Sequence, residues 1–417
     1  MFPRYDLKTS KRLLYTLFAA QSLSSAAQIA VFTLITITAA ELGGGEGVAG
    51  VPSSTLTFAQ ALSAFPIAMV MGRYGRRIGL ALGYTGGIAG AVIGIIAILG
   101  RSFPLLLVAA AFLGTARAGS DQGRFAAGEM FPESERARMI GRLIFAGTIG
   151  AVIGPLLVAP SGRLMESLGF SADIGTWVLM GVFSGLALLT TFIFLRPDPM
   201  IIARALEQED QTARSVEDET EARPLSALLA LPRVQLAVLA VIVSQTVMVV
   251  LMVMTPLHMH HLQHPTEAIS LVLAAHSLGM FGLSPFTGYF IDRFGRIPML
   301  LAGAVILIAS CLLAPLSDSE FILAAALFLL GLGWNFGYVA GSSLLVAGLQ
   351  ERERTRVQGA NDTLVFLAAG IGSIVAGGLF AASGYIAIAI AGLTLSVTLI
   401  GLVLWYNRPQ MRVEMAA

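Results

Sequence analysis

Gly72-Arg73-Tyr74-Gly75-Arg76 and Asp292-Arg293-Phe294-Gly295-Arg296 are two versions of one short basic loop, 220 residues apart. A second pair repeats at nearly the same offset. Glu135-Arg136-Ala137-Arg138-Met139-Ile140-Gly141 and Glu353-Arg354-Thr355-Arg356-Val357-Gln358-Gly359 stand 218 residues apart. One duplication explains both offsets, so the chain reads as two homologous halves.

What surrounds these loops is apolar. Of the 417 residues, 56% are hydrophobic and 12% charged, and the mean hydropathy is +0.80. Soluble domains carry about 25% charged residues, so this chain needs a solvent other than water. A net charge of +1 argues against nucleic acid as a partner. The single cysteine, Cys311, excludes an internal disulfide and a thiol cluster. The basic stretch Met1–Arg12 precedes an apolar run, Leu13–Ala40, that is too long for a cleaved signal peptide and reads as a first membrane helix.

A bilayer core of about 30 Å takes roughly 20 apolar residues per helix. Twelve stretches qualify: 13–40, 54–72, 78–100, 103–129, 139–160, 174–195, 234–257, 267–290, 298–316, 320–348, 358–382 and 385–406. Lipid offers backbone groups no partner, so each is expected to be helical. Of 26 Lys and Arg residues, all but Arg101, Arg117, Arg124 and Arg163 fall at the termini or at alternate loops. The positive-inside rule then puts both termini on the cytoplasmic side. The expected organisation is an N-terminal six-helix half, 1–195, a cytoplasmic linker, 196–233, containing EQEDQTARSVEDETEAR, and a C-terminal six-helix half, 234–417.

Parallel six-helix halves are the architecture of the major facilitator superfamily, and the basic loop resembles that family's motif A. The resemblance covers the whole chain. It implies substrate binding near the midplane between the halves, and a latch of loop charges released as the transporter changes conformation. Asp292, Arg293 and Arg296 fit that latch. Gly72 stands where the first half's acid is expected, so the first-half latch is expected to be the weaker one. Read structurally, the same arginines only enforce topology.

Ionisable residues inside a membrane are candidates for function. Arg117, Asp121 and Arg124 lie at i, i+4 and i+7 of span four and share a helical face. They form a candidate coupling relay for protons or counter-ions, or alternatively a self-neutralised structural cluster in which Asp121 pairs with either arginine. Glu129 reads as interfacial. In span five Gly141, Gly150, Gly154 and Pro155 resemble motif C, which the family associates with proton-driven exporters. As plain packing they are a smooth face with a proline kink.

Met248 and Met252 in span seven, and His276 and Met280 in span eight, are spaced by four residues, so each pair shares a helix side. Both pairs fall about 13 Å below the outer surface at 1.5 Å per residue. Thioether and imidazole ligands suit Cu(I), although methionine is also an ordinary filler of apolar helices. The four residues match the metal motifs of the CcoA-type copper importers, which the chain resembles here. That resemblance implies copper as the transported substrate. The family's cysteines near these helices are not reproduced, since Cys311 stands in span nine. His258, His260, His261 and His264 crowd just outside span seven as a candidate outer capture site for metal, or as a polar cap.

The chain carries no G-x-x-x-x-G-K-[ST] loop and no catalytic spacing, so ATP hydrolysis and enzyme activity are not expected. Nor is a tightly bound cofactor. Two readings follow. One is a monomeric importer of copper in the bacterial inner membrane. The other is a proton-coupled exporter of a small organic solute or drug that uses the span-four charges.

Overall fold

The computed structural model describes residues 7–211, 223–345, 347, 349 and 351–406. For 133–134, 136–138, 144, 207–211, 284–285, 351–352 and 354–355 it describes the backbone alone. Most of the acidic run of the linker, 212–222, lies outside the described residues. Sixteen α-helices follow one another. The first nine are α1 (Leu7–Gly43), α2 (Val51–Tyr74), α3 (Arg76–Leu99), α4 (Phe103–Asp121), α5 (Gly123–Glu129), α6 (Glu133–Leu156), α7 (Val158–Ser167), α8 (Ile174–Phe194) and α9 (Pro199–Gln211). The rest are α10 (Leu225–Leu229), α11 (Pro232–His261), α12 (Thr266–Phe281), α13 (Ser284–Phe294), α14 (Arg296–Leu313), α15 (Glu320–Leu345) and α16 (Glu351–Tyr406).

Ten stretches are long and apolar enough to cross a membrane, and α12 with α13, bent by 43° at their junction, adds another. One of the ten is double. The 56 residues of α16 span about 84 Å, more than twice a hydrocarbon core of about 30 Å. The break falls at Gly384, whose φ of 72° is left-handed and strained for any residue with a side chain. The count is therefore twelve spans, as the hydropathy pattern predicts.

Span four is α4 and α5, interrupted at Gln122; span five is α6 and α7, interrupted at Leu157 just after Pro155. The outward faces are apolar. Leu62 and Phe65 on α2, Leu186, Leu189 and Ile193 on α8, and Ile371 and Val375 on α16 are all exposed. A soluble protein rarely shows so continuous an apolar surface, whereas lipid solvates it.

The helices group into two compact units. The first comprises Met1–Thr38 and Thr55–Glu219, and the second comprises Ala39–Ser54 and Thr220–Ala417. Sequence places Ala39–Ser54 in the first half, yet it packs with the second unit. The short 3₁₀ turn Glu46–Val48 lies on α16, the Ser373 hydroxyl donates to the Gly50 carbonyl at 2.8 Å, and the Ser54 hydroxyl donates to the Gly370 carbonyl at 2.6 Å.

In the first unit α3 packs between α4 and α8. Leu13, Leu17, Met71, Leu80, Tyr84, Met130, Phe131 and Leu143 form its buried core. The linker begins as part of this core, because α9 buries Ile202 in the same cluster. Gly150 and Gly154 lie so close to α1 that a side chain at either would strike its backbone near Ser22 and Ala26. The Ser22 and Ser25 hydroxyls donate to the carbonyls of Ala146 and Gly147 at 2.8 and 2.7 Å across the same seam. Gly150 and Gly154 therefore serve as a close-packing face, whereas a side chain at Gly141 would meet nothing within 4 Å.

In the second unit α15 is central. It packs against α12, α14 and α11, while α11 also lies along α16.

Candidate functional site

In the first unit, polar side chains gather around the end of α4. Asp121 stands where α4 meets α5, and Gln122 between them keeps helical dihedrals, φ −67° and ψ −19°. The Asp121 carboxylate accepts from Gln60 Nε2 on α2 at 2.8 Å. Neither Arg117 nor Arg124 makes a direct ion pair with it among the described residues, although both guanidiniums act on its charge. The pairing expected for a self-neutralised cluster is thus replaced by a bond to a neutral amide. Arg124 is exposed and lies over the Phe125 ring, 4.9 Å from its centre. On the neighbouring face Gln28 of α1 donates to the Ser24 and Ser120 hydroxyls at 2.8 and 3.2 Å, and Ser63 bonds Thr115 at 3.0 Å.

Gln28, Gln60, Ser63, Thr115 and Ser120 escaped the sequence reading, which weighed only ionisable groups in spans. The signal was present, because neutral amides in apolar helices must find partners just as charges must.

In the second unit His276 is fully buried. Its Nδ1 stands 2.9 Å from the Leu327 carbonyl of α15. A carbonyl only accepts, so Nδ1 carries the proton and Nε2 is left as a bare acceptor, which has no partner. Met248 and Met252 are buried on α11, and Met280 is half-buried.

The two pairs sit on helices that meet mainly through α15. Along α15, Gly337 and Gly341 meet α11, whereas Gly331 meets the backbone of His276 and Met280. At about 100° per residue those α15 faces are about 80° to 120° apart, and α12 touches α11 only slightly. The α11–α15 contact carries groups that the sequence did not announce. The Trp334 indole donates to Gln245 Oε1 at 2.7 Å, Tyr338 stacks on Trp334 at 4.8 Å, and Phe281 meets it edge-on at 6.0 Å. Asn335 donates to the Met280 carbonyl at 2.7 Å and accepts from Thr287.

The four outer histidines do not converge. His258 stacks on Tyr385 with ring centres 4.1 Å apart, and His264 Nε2 reaches the Asp318 carbonyl at 2.7 Å. His260 approaches Glu41 at 3.9 Å and His261 approaches Glu46 at 3.4 Å. Among the described residues no group of three or more His, Cys, Asp or Glu side chains could hold a metal ion. The cluster instead faces several neighbours, among them the Ala39–Ser54 segment.

The basic loops reverse the expected order of strength. In the first half Arg76 grips Glu129 with two hydrogen bonds, Nη2 to Oε1 at 2.6 Å and Nε to Oε2 at 2.9 Å. The Asp198 carboxylate accepts from the backbone amides of Arg76 and Arg77 at 3.1 and 3.0 Å, at the N-terminus of α3 where negative charge is favoured. In the second half Asp292 is exposed and makes no ion pair among the described residues. Arg293 donates to the Tyr289 hydroxyl at 3.1 Å and Arg296 to the Ser343 hydroxyl at 3.0 Å. Among the described residues the first-half loop has the ion pair, and its acid comes from span four and not from the loop.

The Major Facilitator Superfamily model matches residues 17–264 and 236–414. The uncharacterized MFS-type transporter YddS of Bacillus subtilis (strain 168) is 34% identical, over 97% of this chain and 93% of its own length. The riboflavin transporter RfnT of Brucella anthropi is 28% identical, over 91% of this chain and 92% of its own. Among solved structures a D-xylose–proton symporter superposes with a TM-score of 0.69 at 14% identity, covering 94% of this chain and 97% of that one. At that identity the likeness is one of fold.

Proposed function

The chain belongs to the major facilitator superfamily, and from that premise we propose that it is a secondary active transporter of a small polar organic solute, coupled to protons through Asp121. The observation that carries this reading is the 2.8 Å bond from Gln60 to the Asp121 carboxylate, within span four and outside any ion pair. A carboxylate whose hydrogen-bond partner is a neutral amide can gain and lose a proton without breaking a direct ion pair.

In this reading the protein is a multi-pass protein of the bacterial inner membrane with cytoplasmic termini. Residues 1–195 and 234–417 are the halves that exchange access, and 196–233 is the linker. A relative that carries riboflavin makes that solute the first probe. Proteoliposomes with an imposed proton gradient are offered riboflavin and a small-molecule extract of bacterial cells, and accumulation is read by mass spectrometry. Gradient-driven accumulation is expected in the wild type. It should be lost in Asp121→Asn, while exchange of internal for external solute persists. Equal gradient-driven accumulation in that variant would remove Asp121 from coupling.

A second reading, copper import through Met248, Met252, His276 and Met280, is favoured by the bare, buried Nε2 of His276. Metal-binding histidines commonly give their other ring N–H to a carbonyl. Uptake of radioactive copper under reducing conditions tests it. Expression-dependent uptake lost in a Met248→Leu/His276→Leu variant would support it, and equal uptake in wild-type and empty cells would end it.

A further inference from the structure

Arg117 acts on the Asp121 charge without bonding to it. Span four runs from Phe103 to Glu129. At 1.5 Å per residue Arg117 lies about 21 Å from the first and about 18 Å from the second, close to the middle of the membrane. Its side chain is half-buried, and among the described residues its guanidinium makes no hydrogen bond and no ion pair. The nearest acid on its face, Asp121, is bound to Gln60. A guanidinium at that depth is costly without a partner.

The direction in which Arg117 points follows from its neighbours. Ser120 meets α1 through Gln28, and Asp121 meets α2 through Gln60. At about 100° per residue Arg117 falls in the sector between them, so the cation is framed by an amide from α1 and an amide from α2. Gln60 spends one N–H on Asp121 and keeps a second. The set offers a rigid fork of donors with the second N–H of Gln60 beside it, while the Asp121 carboxylate, which acts on the cation through space, has its hydrogen bond to that same amide. Such a fork fits a carboxylate or a phosphate, each of which presents two oxygens.

We propose that the solute carried by this protein is an organic anion whose carboxylate or phosphate group docks on the fork of Arg117 between Gln28 and Gln60. The inference rests on the transport reading above and adds to it the charge of the substrate. Binding of the anion neutralises the cation exposed in the empty site, so the loaded site is the less costly of the two to enclose.

The test uses the full-length protein in proteoliposomes under a proton gradient. They are offered the cell extract supplemented with nicotinate and nicotinamide, benzoate and benzamide, and glucose 6-phosphate and glucose. Mass spectrometry reads the charge of whatever accumulates, and the matched pairs separate carboxylate from phosphate recognition. Accumulation confined to anions is expected. It should fall at least tenfold in Arg117→Gln, with a smaller loss in Arg117→Lys, which keeps the charge but not the fork. A merely structural arginine would not change the preference for acid over amide. Accumulation of neutral solutes, or of anions equally well in Arg117→Gln, overturns the anion site while leaving the transport reading standing. Absence of gradient-driven accumulation of any solute in the wild type defeats the transport reading, and the anion site falls with it.

Discussion

Among the described residues each half holds one two-pronged arginine–carboxylate pair, and the two pairs occupy places that the duplication does not relate. In the first half Arg76 of the basic loop grips Glu129 at the end of span four. In the second half Arg223, from the end of the linker, grips Glu353 at the start of span eleven, with Nε to Oε1 at 2.8 Å and Nη2 to Oε2 at 3.0 Å. Shifted by the 218-residue offset, Glu129 corresponds to Ala347 and Glu353 to Glu135. Glu135 is exposed, whereas Glu353 is fully buried. The duplication has kept helices and glycines in register while charges have moved. A buried carboxylate needs a counter-charge, but any arginine within reach can supply it. Charge partners are therefore freer to drift than the close helix contacts.

The strongest challenge to this comparison is Arg223→Ala. It removes the two-pronged cationic partner of the buried Glu353 carboxylate, and the largest drop in unfolding temperature of the set is expected. Adding Glu353→Gln should recover most of it, because a neutral amide costs far less to bury unpaired than a charge does. If Arg223→Ala unfolds no earlier than the wild type, the pair does not hold this half together. A smaller effect is expected from Glu129→Gln. That pair is partly exposed, with side-chain accessibilities of 18% and 30%, so the loss should be about 1–3 kcal/mol in denaturant unfolding.

Ala347→Glu would restore to the second half the acid that the first half uses. If the halves are equivalent there, Arg296 gains a partner and stability rises by up to about 1 kcal/mol. A loss would show that the repeated loops differ in backbone as well as in charge. The smallest effect belongs to Asp292→Asn. With Asp292 exposed and outside any ion pair, stability should stay within about 0.5 kcal/mol of the wild type. A larger loss would mean that the second-half loop is held by its acid after all.

Much of the fold was legible in the sequence. Every one of the twelve spans could be read from apolar length alone, because the cost of an unpaired backbone group in lipid leaves a long apolar run no option but a helix. The gap between the stretches 358–382 and 385–406 announced the break that the structure places at Gly384. The candidate site was legible only in part. Arg117 and Asp121 stood out as charges in apolar helices, but Gln60, 61 residues from Asp121, carries no mark in the sequence that selects it as the carboxylate's partner. The methionine and histidine spacing in spans seven and eight was visible as well. That α12 packs mainly on α15, and touches α11 only slightly, was not.

Span number, the duplication and the family are properties of local hydropathy and of repeated short motifs, so the sequence by itself determined them. Tertiary structure alone decided which carboxylate answers which arginine, that the four outer histidines take separate partners, and that Ala39–Ser54 joins the second unit. The physical reason is one of range. The preference of a residue for lipid or water is set by its own side chain and its near neighbours along the helix. The partner of a buried charge is whatever the packing of distant helices brings within about 3 Å.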